Sequence, residues 1–328
     1  MNNFTATLFA LFAVALPFNA LAQQVSDPLI RWAYPWVNPR TAEEPKTSSD
    51  PGTAMHVPDS TRSYLRKDTR DPFLAPDWHP DDHPALPSIV EHGRKPDVYA
   101  CGVCHRADGP GGPENASLAG LPVDYIIKQV ADFKSGARKS VVSPDVGPNK
   151  LMRTVAESAT DSEINIAAAY FAAISPRASI EVVETVMAPK SYMAGSFFAD
   201  LKTGEQEPLG DRILEIPNDV QQFENRDSRS RFTAFVPVGS IRKGEFLASG
   251  HAPEKTMACE TCHGSGLKGL GPVPRIAGRS PSYIARQLLD IQHGARNSTT
   301  TGLMLPVVDK LSSDDILVLA AYVASLPP

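Results

Sequence analysis

Cys101-Gly102-Val103-Cys104-His105 and Cys259-Glu260-Thr261-Cys262-His263 set two thiols beside an imidazole twice, at an offset of 158 residues, and use all four cysteines of the chain. C-x-x-C-H is the signature of covalent haem attachment. The thiols add across two vinyl groups to give thioethers, and the neighbouring histidine becomes an axial ligand of the iron. One short turn thereby reaches two corners of the ring and its centre. Other chemistries fit less well. Two short disulfides leave both histidines unexplained. A zinc ribbon wants its pairs roughly 15–20 residues apart. A thioredoxin-like pair needs a strand–helix context and would not be duplicated with its flanks.

An iron held by histidine on one face needs methionine, a second histidine, lysine or an open position on the other. Of seven methionines, Met152 and Met304 alone hold equivalent places in the two copies, 51 residues after Cys101 and 45 after Cys259. Methionine ordinarily fills gaps in a core, but recurrence beside a haem signature points to His105/Met152 and His263/Met304 as two ligand pairs. A neutral thioether favours ferrous iron and raises the potential. A full coordination shell leaves no place for peroxide or oxygen, which favours electron transfer over catalysis.

The elements that position these residues are themselves repeated. Gly120, Tyr125, Ile126, Gln129, Gly136, Ala137 and Arg138 recur as Gly278, Tyr283, Ile284, Gln287, Gly294, Ala295 and Arg296. Six extra residues follow position 140 in the first copy. The match then resumes, with Ala168-Ala169-Tyr170 against Ala320-Ala321-Tyr322. Two long divergent copies mean tandem domains, expected at 88–176 and 240–328. Pro122 and Pro281 each open a helix with an i, i+4 apolar stripe. Thr160 with Glu163 forms a capping box ahead of a helix expected over 164–174, and Ser312 to Asp315 precede one expected over 316–326. Residues 177–239 read as a small β insert or linker, because β-branched and aromatic runs at 179–186, 212–216 and 231–236 alternate with Gly, Pro and Asp clusters.

Residues 1–22 carry no charge and end in Ala20-Leu21-Ala22, as a secretory signal does. Residues 23–87 are irregular and rich in proline. Trp32, Trp36 and Trp78, all the tryptophans of the chain, suggest an extended arm packed on a folded domain. No other long apolar run occurs, so no integral membrane segment is expected in the mature chain. The formal charge of −5 over 328 residues excludes a generally basic, nucleic-acid-binding character.

The chain resembles class I cytochromes c, specifically dihaem cytochromes built from two fused class I units. The resemblance rests on the haem turns, Pro274-Arg275-Ile276-Ala277-Gly278, the Tyr283/Gln287 helix, Gly294-Ala295-Arg296, Met304 and the Ala320-Ala321-Tyr322 helix. It covers about half the chain. It implies a mainly α fold of two tandem cytochrome domains, with the arm and the β insert outside it. It also implies that the carbonyl of Pro274 orients His263. Ala116 stands at the matching place in the first copy, so a different orientation is expected for His105. Arg138 and Arg296 suit either haem propionates or helix ends. The expected function is a periplasmic carrier with two covalent haem c groups, passing single electrons between a donor dehydrogenase and an acceptor oxidase or reductase. A dihaem peroxidase, or the haem subunit of a dehydrogenase complex, is the alternative.

Overall fold

The structure is a computed structural model and describes residues 28–38, 50–142 and 147–328. The expected secretory segment at residues 1–22 lies outside these. Among the described residues, no helix is long and apolar enough to cross a membrane.

The arm begins with helix α1 (Pro28–Ala33), continued by a 3-10 turn at Pro35–Val37. Trp32, Ala33 and Tyr34 are buried in the core of the second domain. Farther along, Met55, Val57 and Trp78 form a small cluster of their own. The first domain then runs through α2 (Ser88–Glu91), α3 (Cys101–His105), α4 (Val123–Ser135), α5 (Gly147–Ser158) and α6 (Asp161–Ala172). Its core joins Ile89 and Val90 to Leu121, Ile126, Tyr170 and Phe171. Proline ahead of α4 and a left-handed Gly136 after it (φ 75°) set the limits of that helix. Thr160 starts α6, accepting from the Glu163 amide while Glu163 accepts from its own.

The insert is built from β1 (Ile180–Glu184), β2 (Met187–Pro189), β3 (Ser191–Ala194), β4 (Phe197–Asp200), β5 (Gln206–Pro208), β6 (Leu214–Pro217), helix α7 (Val220–Glu224) and β7 (Phe232–Val236). In the largest sheet β7 lies centrally, parallel to β1 and antiparallel to β6, with Ile180 opposite Phe232 and Leu214 opposite Phe235. β2 pairs with β5, and β3 with β4, both antiparallel. The insert faces two ways. Ile213, Ala234 and Val236 enter the core of the second domain. Phe197, Phe223 and Phe232 form a separate aromatic cluster, with ring centroids 4.8 and 5.1 Å apart.

The second domain comprises α8 (Ser240–Ala248), α9 (Glu260–His263), α10 (Pro281–Gln292) and α11 (Ser313–Ser325). α8 crosses α11 at Gly244, where a Cβ would lie 2.0 Å from the Val318 carbonyl oxygen. The backbone repeats as the sequence does. Left-handed residues recur at the 158-residue offset: Arg106 and Gly264, Gly109 and Leu267, Gly111 and Gly269, Gly120 and Gly278, Gly136 and Gly294. Two of these pairs join glycine to a residue with a side chain, so the turn geometry outlasts the residue type that most easily adopts it.

Candidate haem sites

Each haem turn is a single helical turn whose histidine points its Nδ1 at a loop carbonyl eleven residues on. Nδ1 of His105 lies 2.8 Å from Ala116 O, and Nδ1 of His263 lies 2.8 Å from Pro274 O. A carbonyl only accepts, so Nδ1 carries the proton and Nε2 keeps its lone pair for a metal. His105 is therefore oriented as His263 is, contrary to the expectation from Ala116. The bond is made by the backbone, and the side chain at that position does not decide it. The loops share further bonds. Gly111 and Gly269 donate to the carbonyls of His105 and His263, and Leu118 and Ile276 donate to those of Gly109 and Leu267.

Burial tunes the same groups. It depresses the His105 pKa to about 4 and lowers that of His263, so both imidazoles are neutral at physiological pH. It pushes the thiols of Cys101 and Cys259 up to about 12 and about 11, and that of Cys104 upward as well. None of the four cysteines forms a disulfide.

In the first domain the structure brings the expected residues together. Cys101, Cys104, His105 and Met152 line one cavity of about 850 Å³, within the range of cofactor pockets. Its walls also include Leu121, Ile126, Phe171 and, from the insert, Gly195, Phe197 and Phe223. Among its lining residues, Arg106, Arg226 and Arg279 each keep a buried Nε with no hydrogen-bond partner, and Glu114 a buried Oε2. An apolar chamber with a neutral imidazole, two thiols and unsatisfied guanidinium donors fits haem, whose propionates are anionic. In the second domain, Cys259 and Met304 both pack against the core that holds α10 and α11. Cys262 is exposed, and Met304 closes a 3-10 turn, Thr301–Met304. Met152 instead sits within α5.

Sequence reasoning missed the arginines. Arg106 has a left-handed backbone (φ 68°), is 1% exposed, and lies 4.5 Å from the centre of the Phe223 ring. Such a conformation is rare outside glycine, and here Nη1 donates to Val103 O at 3.1 Å. Arg279 and Arg286 reach from the second domain to the Ser117 and Pro113 carbonyls of the first haem loop. Leu121 and Lys128 stand at the equivalent positions of the first copy, so this reach has no reciprocal.

Arg138 lines the first-domain cavity, and it and Arg296 make a contact that neither expectation named. They join the domains across a pseudo-twofold. Gln129 Oε1 accepts from both, at 2.8 Å each, and Gln287 Oε1 accepts from both, at 2.9 and 3.0 Å. Tyr283 OH accepts from Arg138 at 2.8 Å. Burial alone would raise the Tyr283 phenol, but Arg138, Arg279 and Arg296 together bring it down to about 8. Backbone bonds from Lys139 to Ala295 and from Asn297 to Ala137 complete the seam.

The histidines of the arm also have partners. Nε2 of His79 lies 3.0 Å from Asp227, and Nε2 of His83 lies 3.2 Å from Asp77. The first contact fastens the arm to the insert.

No family model matches the chain. Among curated proteins, cytochrome c4 of Azotobacter vinelandii is 31% identical over 141 residues, 39% of this chain and 67% of the relative. The chain belongs to the cytochrome c4 family. Cytochrome c4 of Stutzerimonas stutzeri is 26% identical and covers 70% of this chain and 85% of its own. A protein of Stutzerimonas stutzeri (strain A1501) named thiosulfate dehydrogenase electron acceptor is 25% identical, over 72% of this chain and 83% of that one. This member of the family is thus an electron-transfer cytochrome of two cytochrome c domains that carries haem c.

Proposed function

We propose that this cytochrome is a periplasmic carrier with two covalently held haem c groups, one on Cys101 and Cys104 and one on Cys259 and Cys262. The reading is carried by the duplicated turn, in which a neutral histidine donates from Nδ1 at 2.8 Å in both copies and so presents Nε2 as a ligand. His105 and His263 are the proximal ligands, and Met152 and Met304 the distal ones. Haem c, when bound, supplies a one-electron ferric–ferrous couple. The chain's part is to tether, orient and shield. The thioether-forming cysteines fix the ring against its turn, and the carbonyls of Ala116 and Pro274 hold each imidazole in one tautomer. The unpartnered Nε groups of Arg106, Arg226 and Arg279 suit propionate carboxylates. The net charge of −5 suits partners with basic docking faces, and the relative named as the electron acceptor of a dehydrogenase favours a dehydrogenase as donor.

Mass spectrometry of the purified chain is expected to show two thioether-bound haems per polypeptide. The ferric spectrum is expected to carry a sulfur-to-iron charge-transfer band that weakens in Met152→Ala and in Met304→Ala and disappears in the double variant. One haem per chain, or a band indifferent to either substitution, overturns the assignment.

A further inference from the structure

The two haem turns differ in what lies against them. Gly102 and Val103, between the first pair of cysteines, are buried, while Glu260 and Thr261 are exposed. A Cβ on Gly102 would stand 2.7 Å from the Ala75 side chain and 2.9 Å from the Val90 carbonyl, so the arm and α2 press directly onto the turn. From the other side Arg226 donates to the Val103 carbonyl at 3.2 Å. Phe223 covers the Arg106 guanidinium, and Gly195, Ser196 and Phe197 line the cavity beside it. Ala75 and these insert residues come from segments outside the repeat, whereas arm and insert meet the second domain through its core. At the second turn Cys262 is exposed, and Met257 (47%), Leu270 (60%) and Leu303 (78%) of the same domain are exposed too.

We propose that the arm and the β3–β4 and α7 parts of the insert close the first haem site to external redox proteins, leaving the second domain as the port for electron exchange. The proposal rests on the two-haem reading above. A one-electron donor protein is oxidised as the second-domain iron is reduced. The same electron then passes within the chain, across the Arg138–Arg296 seam, to the first-domain iron, and the second site is free to accept another. Phe197 and Phe223 are thus specificity-determining residues, acting by exclusion.

The test is stopped-flow reduction of the oxidised holoprotein by a protein-sized donor, a photoreduced monohaem cytochrome of lower potential. Haem content by mass is measured first, so a chain with a single haem is recognised as failure of the underlying reading and not of this one. The Met152→Ala spectrum assigns the first-domain signal. In the wild type the second-domain phase is expected to rise with donor concentration and the first-domain phase to reach a plateau independent of it. In Phe197→Ala and in Phe197→Ala/Phe223→Ala that plateau is expected to be lost, while Val186→Ala, an exposed insert position, keeps it. A first-domain phase that scales with donor in the wild type overturns the proposal, and this reading does not require the variants to fold. A plateau retained in folded variants whose first haem has become open to cyanide overturns it as well.

Discussion

The two cytochrome domains reach the same haem-turn geometry with different supports. The second carries a full first helix of its own: α8 is nine residues long and crosses α11 at Gly244, backbone against backbone. In the first, the corresponding helix α2 has four residues, enclosed by Pro84, Pro87 and Gly93, and cannot span the domain. Ala75 of the arm packs against Ala100 and Val103 instead, and Trp78 fastens the arm to the insert. It is 2% exposed, its indole donates to the Asn225 carbonyl at 2.7 Å, and its ring meets Tyr64 edge-on at 4.7 Å. A haem domain short of its own first helix is completed by chain from outside the repeat, and that same chain covers its haem turn.

The sharpest way to break this comparison is to remove the borrowed support. Trp78→Ala is expected to cost about 3–5 kcal/mol, the usual loss for deleting a buried aromatic, and to unfold the first domain ahead of the second. Urea titration followed separately in the two haem signals checks it. A single transition with both signals moving together would mean that the domains share one cooperative unit.

A smaller effect follows from exchanging the residues within the turns. Gly102→Glu forces a side chain into the Ala75 and Val90 contacts and buries a carboxylate, and is expected to destabilise by roughly 2–3 kcal/mol through overpacking and lost solvation. Glu260→Gly sacrifices one exposed bond, Gly266 N–H to Glu260 at 2.7 Å, and is expected to cost no more than about 1 kcal/mol. Equal costs would show that the two turns are equally covered.

Much of this was legible. The helices expected after Pro122 and Pro281 are α4 and α10, and those expected at 164–174 and 316–326 are α6 and α11, displaced toward their caps by three residues at the start. The three β runs became β1, β6 and β7. The strands β2 to β5 escaped, because segments of three or four residues carry too little alternation to register. The two C-x-x-C-H turns were read from spacing, and Met152, read from its recurrence as Met304, lines the same cavity as Cys101, Cys104 and His105. What the insert covers was not found, since Phe197 and Phe223 lie about a hundred residues from the turn they approach. A signal was nevertheless present: Gly-Val between one pair of cysteines and Glu-Thr between the other already distinguish a buried turn from an exposed one. Arg279 and Arg286 gave no such hint, because an arginine is ordinarily a surface residue.

Acid should act on the two supports with opposite signs. Asp290 is buried and accepts from Tyr34 OH and the Val141 amide, both at 2.8 Å, which binds the arm to α10. Burial still raises its pKa to about 6, above the ordinary value of about 3.9. Its contribution is therefore fully present below about pH 4 and is lost as the pH rises through 6. Asp290→Asn is expected to flatten stability across that window. Glu163 lies below its ordinary value, held chiefly by the Arg94 guanidinium. Burial would raise Asp315, but Lys255 and the Ser312 bonds outweigh it and bring that carboxyl down too. Those two contributions are present at neutral pH and fade on acidification. Urea midpoints from pH 2 to pH 7 in the wild type and Asp290→Asn separate the two slopes.

The smallest effect tests whether the domains remain equivalent where neither arm nor insert intervenes. Thr160 and Ser312 cap α6 and α11 alike, each accepting from the third helical amide, at 3.3 and 3.2 Å, while Glu163 and Asp315 return the bond at 2.8 and 3.0 Å. Each acid also binds a cation from its own domain, Arg94 at 2.7 Å and Lys255 at 2.8 Å. Thr160→Ala and Ser312→Ala should then cost about 1 kcal/mol apiece, and their costs should add, because the caps share no partner. If Thr160→Ala costs much less than Ser312→Ala, α6 draws its stability from outside its own domain, and dependence on borrowed support extends from the haem turn to the first domain's last helix.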